Sequence, residues 1–114
     1  MISTILLAML LQQAPAAAPS APPTDEAISN VKAMVEAKLR DPYSAQWRNL
    51  RAFQHTDGSL IVCGEVNAKN AYGGYVGFDG FVYWNGKLTM PDESMPIVAP
   101  HQRNFVKLLC NGKP

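Results

Sequence analysis

Ile28, Val31, Val35 and Leu39 recur at steps of three and four residues, with Met34 beside them. That spacing lays one apolar stripe along a helix, predicted over residues 25–39. Thr24 or Asp25 can cap its start, and Asp25 and Glu26 stand where the helix dipole favours negative charge. Lys38 and Arg40 complement the other end, and Pro42 disfavours helical geometry at Asp41. Asp41-Pro42 also suits the cap and first turn of a short second helical turn running to Gln46.

The period then shortens. Residues 47–53 and 60–68 are rich in strand formers, and Asp57-Gly58 between them is a hairpin signal. A third strand is predicted from Tyr75 to Trp84, turning at Asn85-Gly86 into a fourth over residues 87–90. Pro91, Pro96 and Pro100 punctuate the irregular stretch after it. Residues 102–110 return to helical spacing, with Phe105, Leu108 and Leu109 on one face and Asn111-Gly112 as a stop. The expected fold is α+β: an N-terminal amphipathic helix, a four-stranded antiparallel meander and a C-terminal helix.

Ile2 to Leu11 is a nearly unbroken apolar run, too short for the roughly twenty residues a membrane-spanning helix needs. It matches the hydrophobic region of a secretory signal, with Ala14-Pro15-Ala16 as an A-x-A-like cleavage site. No Lys or Arg precedes the run, so its positive charge is the terminal amine; the alternative is a buried first helix of the domain. The adjoining stretch APAAAPSAPP cannot propagate a helix and reads as an extended tether. The expected organisation is a signal peptide at 1–16, a Pro/Ala-rich tether at 17–24 and one domain at 25–114, in a periplasmic or secreted protein.

Length and charge narrow the classes. A chain of 114 residues holds one domain, and a net charge of +1 supplies no field for nucleic acid or an anionic membrane surface. No cofactor is expected, nor stable membrane insertion after processing. The sequence leaves the oligomeric state open. Cys63 and Cys110 are expected to pair, because an oxidising compartment and a small core both favour a bridge. A reactive thiol is the alternative, but there is no C-x-x-C and neither cysteine has a neighbouring His. The bridge would turn the face of Cys63, Ile61, Glu65, Asn67 and Lys69 toward the C-terminal helix, and that of Leu60, Val62, Val66 and Ala68 toward the N-terminal one.

One stretch carries more than scaffold chemistry. CGEVNAKNAYGGY, residues 63–75, sends Glu65, Asn67, Lys69 and Asn70 into the loop Tyr72-Gly73-Gly74-Tyr75. Tyrosines give amphipathic contact area, glycines give access, and Asn and Lys give hydrogen bonds. These eight residues are the candidate ligand- or partner-binding surface. The alternative is a turn needing positive φ at Gly73 and Gly74, with Glu65 and Lys69 as cross-strand surface charges. Gly77 and Gly80 fall inside the expected third strand, where glycine weakens pairing unless a backbone or ligand comes close.

Leu39-Arg40-Asp41-Pro42-Tyr43-Ser44-Ala45-Gln46-Trp47-Arg48, with Val62 to Asn70 and Tyr72 to Tyr75, resembles a group of small exported bacterial proteins. These carry a DP-x-SA-x-F-R segment followed by CGEVNAKN-x-x-GGY, and the likeness covers about residues 35–85, with Trp47 where phenylalanine is usual. The resemblance implies an envelope location and a shared fold. It brings no catalytic or binding role to any residue.

Other chemistry is thin. Two His and two Cys at these spacings make no zinc site, and there is no nucleophile elbow or phosphate loop. The expected function is therefore a small exported binding or interaction protein with an unknown protein or small-molecule partner in the envelope. One alternative is a small hydrolase using Glu65 with His55 or Asp79, which would require those groups to converge. Another is a purely structural envelope component.

Overall fold

A computed structural model describes residues 24–111. The expected signal peptide and residues 17–23 of the tether lie outside the described residues, while Thr24 is already helical. Helix α1 spans Thr24–Glu36, strand β1 Gln46–Gln54, β2 Leu60–Asn67, β3 Asp79–Trp84 and β4 Lys87–Thr89, and helix α2 covers Ala99–Asn111. The strands form one antiparallel sheet in the order β1-β2-β3-β4, the expected meander.

The α1 boundary differs from the periodicity for a local reason. After Glu36 the chain tightens, with the amides of Lys38 and Leu39 donating to the carbonyls of Val35 and Glu36. Leu39 thereby still reaches the core, so the apolar spacing outlasts the helix. Pro42–Ser44 forms a single 3-10 turn, shorter than the stretch expected up to Gln46. Helix α2 starts three residues before its expected first residue, at Ala99. Pro100 falls in the first turn, where backbone amides lack intrahelical partners, so it opens the helix rather than blocking it. β3 begins at Asp79, not Tyr75, because Gly77 sits at φ 105° and its amide donates to Asn67 Oδ1, which leaves the ladder.

Each face of the sheet carries a helix. On one, Val31 and Val35 of α1 meet Val62, Val66 and Phe81, and Trp47 meets Phe81 edge-on at 6.0 Å. On the other, Val106 and Cys110 of α2 meet Ile61, Cys63 and Val82. Cys63 and Cys110 are disulfide-bonded, their Cα atoms 5.9 Å apart. The alternation along β2 thus assigns the faces as the sequence predicts. Gly80 is explained by the second face: a Cβ there would lie 3.1 Å from Val106 Cγ1, so the close neighbour is a helix side chain.

Candidate functional site

The expected surface begins at a β-bulge. Arg48 pairs with Glu65 and Arg51 with Cys63, so Asn49 and Leu50 together oppose Gly64. Asn49 takes the left-handed conformation, φ 57°, which asparagine tolerates better than most residues. The bulge turns the Asn49 amide onto Glu65 Oε1 at 2.6 Å, where Arg48 Nε also donates at 2.8 Å. The Arg48 guanidinium lies 3.9 Å above the Phe78 ring. Arg48 holds the Glu65 carboxyl below its ordinary value; partial burial opposes this, and Asn49 adds to it. Glu65 is a fixed carboxylate whose hydrogen bonds run across the strand. Asn67 is similar: its amide donates to Gln46 Oε1 and its oxygen accepts the Gly77 amide.

Beyond Asn67 the chain forms a braced turn. Asn70 Oδ1 accepts from the amides of Tyr72 at 2.9 Å and Gly74 at 3.2 Å, while the Asn70 amide donates to the Gly74 carbonyl. Gly73 has the positive φ expected of it, 82°; Gly74, contrary to expectation, is not among the positive-φ glycines. The side-chain cap from Asn70 closes the turn, so one left-handed residue suffices. Lys69 and Tyr75 form a lone antiparallel bridge, with Lys69 Nζ 5.7 Å from the Tyr75 ring centre.

Ser44, outside the expected site, joins this turn to the rest of the molecule. Its Oγ accepts the Lys69 amide at 2.9 Å and donates to the Asp41 carbonyl, and its own carbonyl accepts the Tyr75 hydroxyl at 2.9 Å. The Asp41-Pro42-Tyr43-Ser44 and Lys69-to-Tyr75 segments, far apart in sequence, therefore meet. Tyr43 on one is 100% exposed and Tyr72 on the other 96%. Of the eight expected residues, the structure brings Lys69 to Tyr75 together at this end and commits Glu65 and Asn67 to cross-strand pairs.

Of the two pairings proposed for a hydrolase, Glu65 and Asp79 lie diagonally across β2 and β3, whereas Glu65 and His55 do not converge. His55 follows the end of β1, where Gln54 pairs with Leu60, five strand positions from Glu65. At about 3.3 Å per residue that is roughly 16 Å. Asp79 is held by Arg103 at 3.3 Å, and Glu65 by Arg48, so each carboxylate has its own cation. His55, Asp57 and Ser59 do cluster in the β1–β2 turn, but Ser59 Oγ donates to Asp57 Oδ1 at 2.6 Å and accepts from Trp84 Nε1. That leaves the imidazole no serine hydroxyl to activate. Among the described residues, no cluster of three His, Cys, Asp or Glu side chains could hold a metal ion.

A second feature has no counterpart in the sequence-based site. Between β4, residues 90–93 and the first turns of α2 runs an open groove of about 900 Å³. Trp84, Leu88, Met90 and Phe105 form its apolar lining, with Trp84 and Phe105 ring centres 6.4 Å apart. Lys38, Lys87 and His101 stand around it, with Asp92 and Glu93. Both acids have partners: Asp92 accepts the Ser94 hydroxyl at 2.6 Å and the Ser94 amide at 3.0 Å, and Glu93 pairs with Arg103. Those Ser94 bonds are the main reason the Asp92 carboxyl lies below its ordinary range, with Lys38 contributing less. The groove depends on Pro91 leading the chain across to α2, and the Asp92 amide donates to Gln102 Oε1 there. No linear spacing encodes that.

No family model, curated protein or solved structure matches the chain. The site therefore rests on its own geometry: a polar strand end, a hydrogen-bonded turn, two exposed tyrosines and a separate groove. Among the described residues, no helix is long and apolar enough to cross a membrane.

Proposed function

We propose that this chain is a small exported binding protein that meets its partner through the end bearing Tyr43, Tyr72 and Tyr75. One observation carries the reading: Tyr43 and Tyr72 are almost fully exposed, yet the segments that present them are held together through Ser44. A large exposed aromatic ring contributes little to the stability of its own domain. On an ordered backbone it can bury contact area against a partner with little ordering cost. Tyr75 and Val76, 44% and 69% exposed, extend the same surface. The expected site is thereby refined: Tyr43 joins it, while Glu65 and Asn67 support the strand from which it projects.

Export is supported by the apolar leader and by the disulfide, which persists most readily in an oxidising compartment. The test is a pair of substitutions, Tyr43→Ala and Tyr72→Ala, compared with wild type in cross-linking pull-downs from envelope extract. The double variant is expected to melt within about 2 °C of wild type, since exposed substitutions change stability little. It is also expected to lose the specific cross-linked product. Undiminished capture by the double variant would overturn the reading.

A further inference from the structure

The groove between β4 and α2 has the character of a ligand site separate from the tyrosine surface. Its volume, about 900 Å³, lies within the range of small-molecule pockets, roughly 300–1,000 Å³. Its apolar side chains come from three places in the sequence: Trp84 on β3, Leu88 and Met90 on and after β4, and Phe105 on α2. Trp84 is held in place, its indole N–H donating to Ser59 Oγ at 2.8 Å and its ring lying 5.5 Å from that of His55. An aromatic wall anchored in this way is pre-formed for a flat or alkyl body.

The charges around the groove are unequal in their commitments. Glu93 is paired with Arg103, whereas Asp92, turned onto the neutral Ser94, keeps a negative charge that Lys38 offsets. Lys38 and Lys87 form no ion pair among the described residues, and His101 also lines the groove. Helix α2 has no acidic residue in its first turn to offset them. We infer that the groove binds a small amphipathic organic anion, its aromatic or acyl body against Trp84 and Phe105, with Lys38 and Lys87 on the groove's lining supplying the positive charge. Exposed ammonium groups in water supply modest attraction to an anion. The apolar wall provides most of the affinity and the lysines the preference for charge.

The test uses the full chain with its disulfide intact and two probes of matched shape, naphthalene-2-sulfonate and the neutral 2-naphthalenemethanol. Binding is followed by amide and indole chemical shifts. The sulfonate is expected to give saturable shifts at Trp84, Leu88 and Phe105, to bind more tightly than the alcohol, and to weaken as salt is raised. The Lys38→Gln/Lys87→Gln double variant changes only exposed side chains and is expected to fold. It should lower sulfonate affinity by about tenfold and leave the alcohol unaffected. Phe105→Ala should weaken both probes, whereas Tyr43→Ala/Tyr72→Ala should weaken neither, which separates this site from the proposed partner surface. With the probes present, the inference is overturned by no saturable shift in the groove, by equal affinity for both probes, or by an unchanged sulfonate affinity in the double lysine variant. Groove shifts that appear on raising protein concentration without a probe would assign this face to a second copy, and would equally overturn it.

Discussion

Gly64 shows how one position can be decided by its neighbours. The bulge at Asn49 and Leu50 drives Leu50 across the strand, and a Cβ on Gly64 would come within 2.5 Å of Leu50 Cδ2 and 2.8 Å of Phe81 Cζ. Gly64→Ala should therefore cost about 1–3 kcal/mol through overpacking, read from urea unfolding. Gly74→Ala is the matched control: no atom lies within 4 Å of its added Cβ, so a change within about 0.5 kcal/mol is expected. Glu65 carries the pH dependence at this scale. Its folded carboxyl titrates below its ordinary value of 4.5, so near that pH the unfolded chain binds more protons and stability rises with pH. The contribution is complete above the unfolded value and is lost as pH falls through the folded one. Glu65→Gln should flatten the acid limb of a plot of urea midpoint against pH from 3 to 6, and an unchanged limb would show that Arg48 does not hold this carboxylate.

At the scale of elements, two of the ties between α2 and the sheet lie at the helix's C-terminal end. The disulfide closes a separation of 47 residues. Arg51 reaches from β1 to donate to the Cys110 carbonyl at 2.8 Å, placing a cation at the negative end of the helix dipole. Loop closure of that length corresponds to about 4 kcal/mol, a large share of the net stability of a small domain. In Cys63→Ala/Cys110→Ala, amide exchange is expected to accelerate first in α2, with β1 and β2 protected longest. Uniform acceleration would mean that the helix and sheet unfold as one unit. The elements themselves were largely legible in the sequence. Strand alternation, Asp-Gly and Asn-Gly turns and a three-to-four spacing are local properties, and the structure departs from them at ends and on α2, which buries Val106 and Cys110 rather than Phe105 and Leu108. At the ends, a tightened turn after Glu36, a first-turn proline at Pro100 and the Asn67–Gly77 hydrogen bond set the boundaries.

At the scale of the molecule, the proposed functions occupy different surfaces: a tyrosine-bearing end braced by Ser44, and a groove beside α2. The proposed export concerns the whole chain, and it has a direct test. Protein recovered from the periplasm or medium of a bacterial host should have an intact mass corresponding to a start near Ala17; a retained Met1 would rule out a processed leader. The eight-residue candidate surface was partly legible. Asn70, Tyr72 and Gly73 announce a turn by residue type alone, but Tyr43 and Ser44 join it only through contacts across 25 and 31 residues of chain.

The sequence by itself determined the order of elements, the pairing of strands, which face of β2 meets which helix, and the partnership of Cys63 with Cys110. Each follows from periodicity, local turn chemistry or the small number of cysteines, and all of these can be read along a line. Only the tertiary structure decided that Glu65 is tied to Arg48 and Asn49, that Ser44 holds two distant segments together, and that Trp84, Leu88, Phe105 and two lysines share a groove. Those outcomes depend on a bulge, a lone bridge and the path of residues 90–98. Small backbone displacements there move side chains by several ångströms, and no spacing rule records where they come to rest.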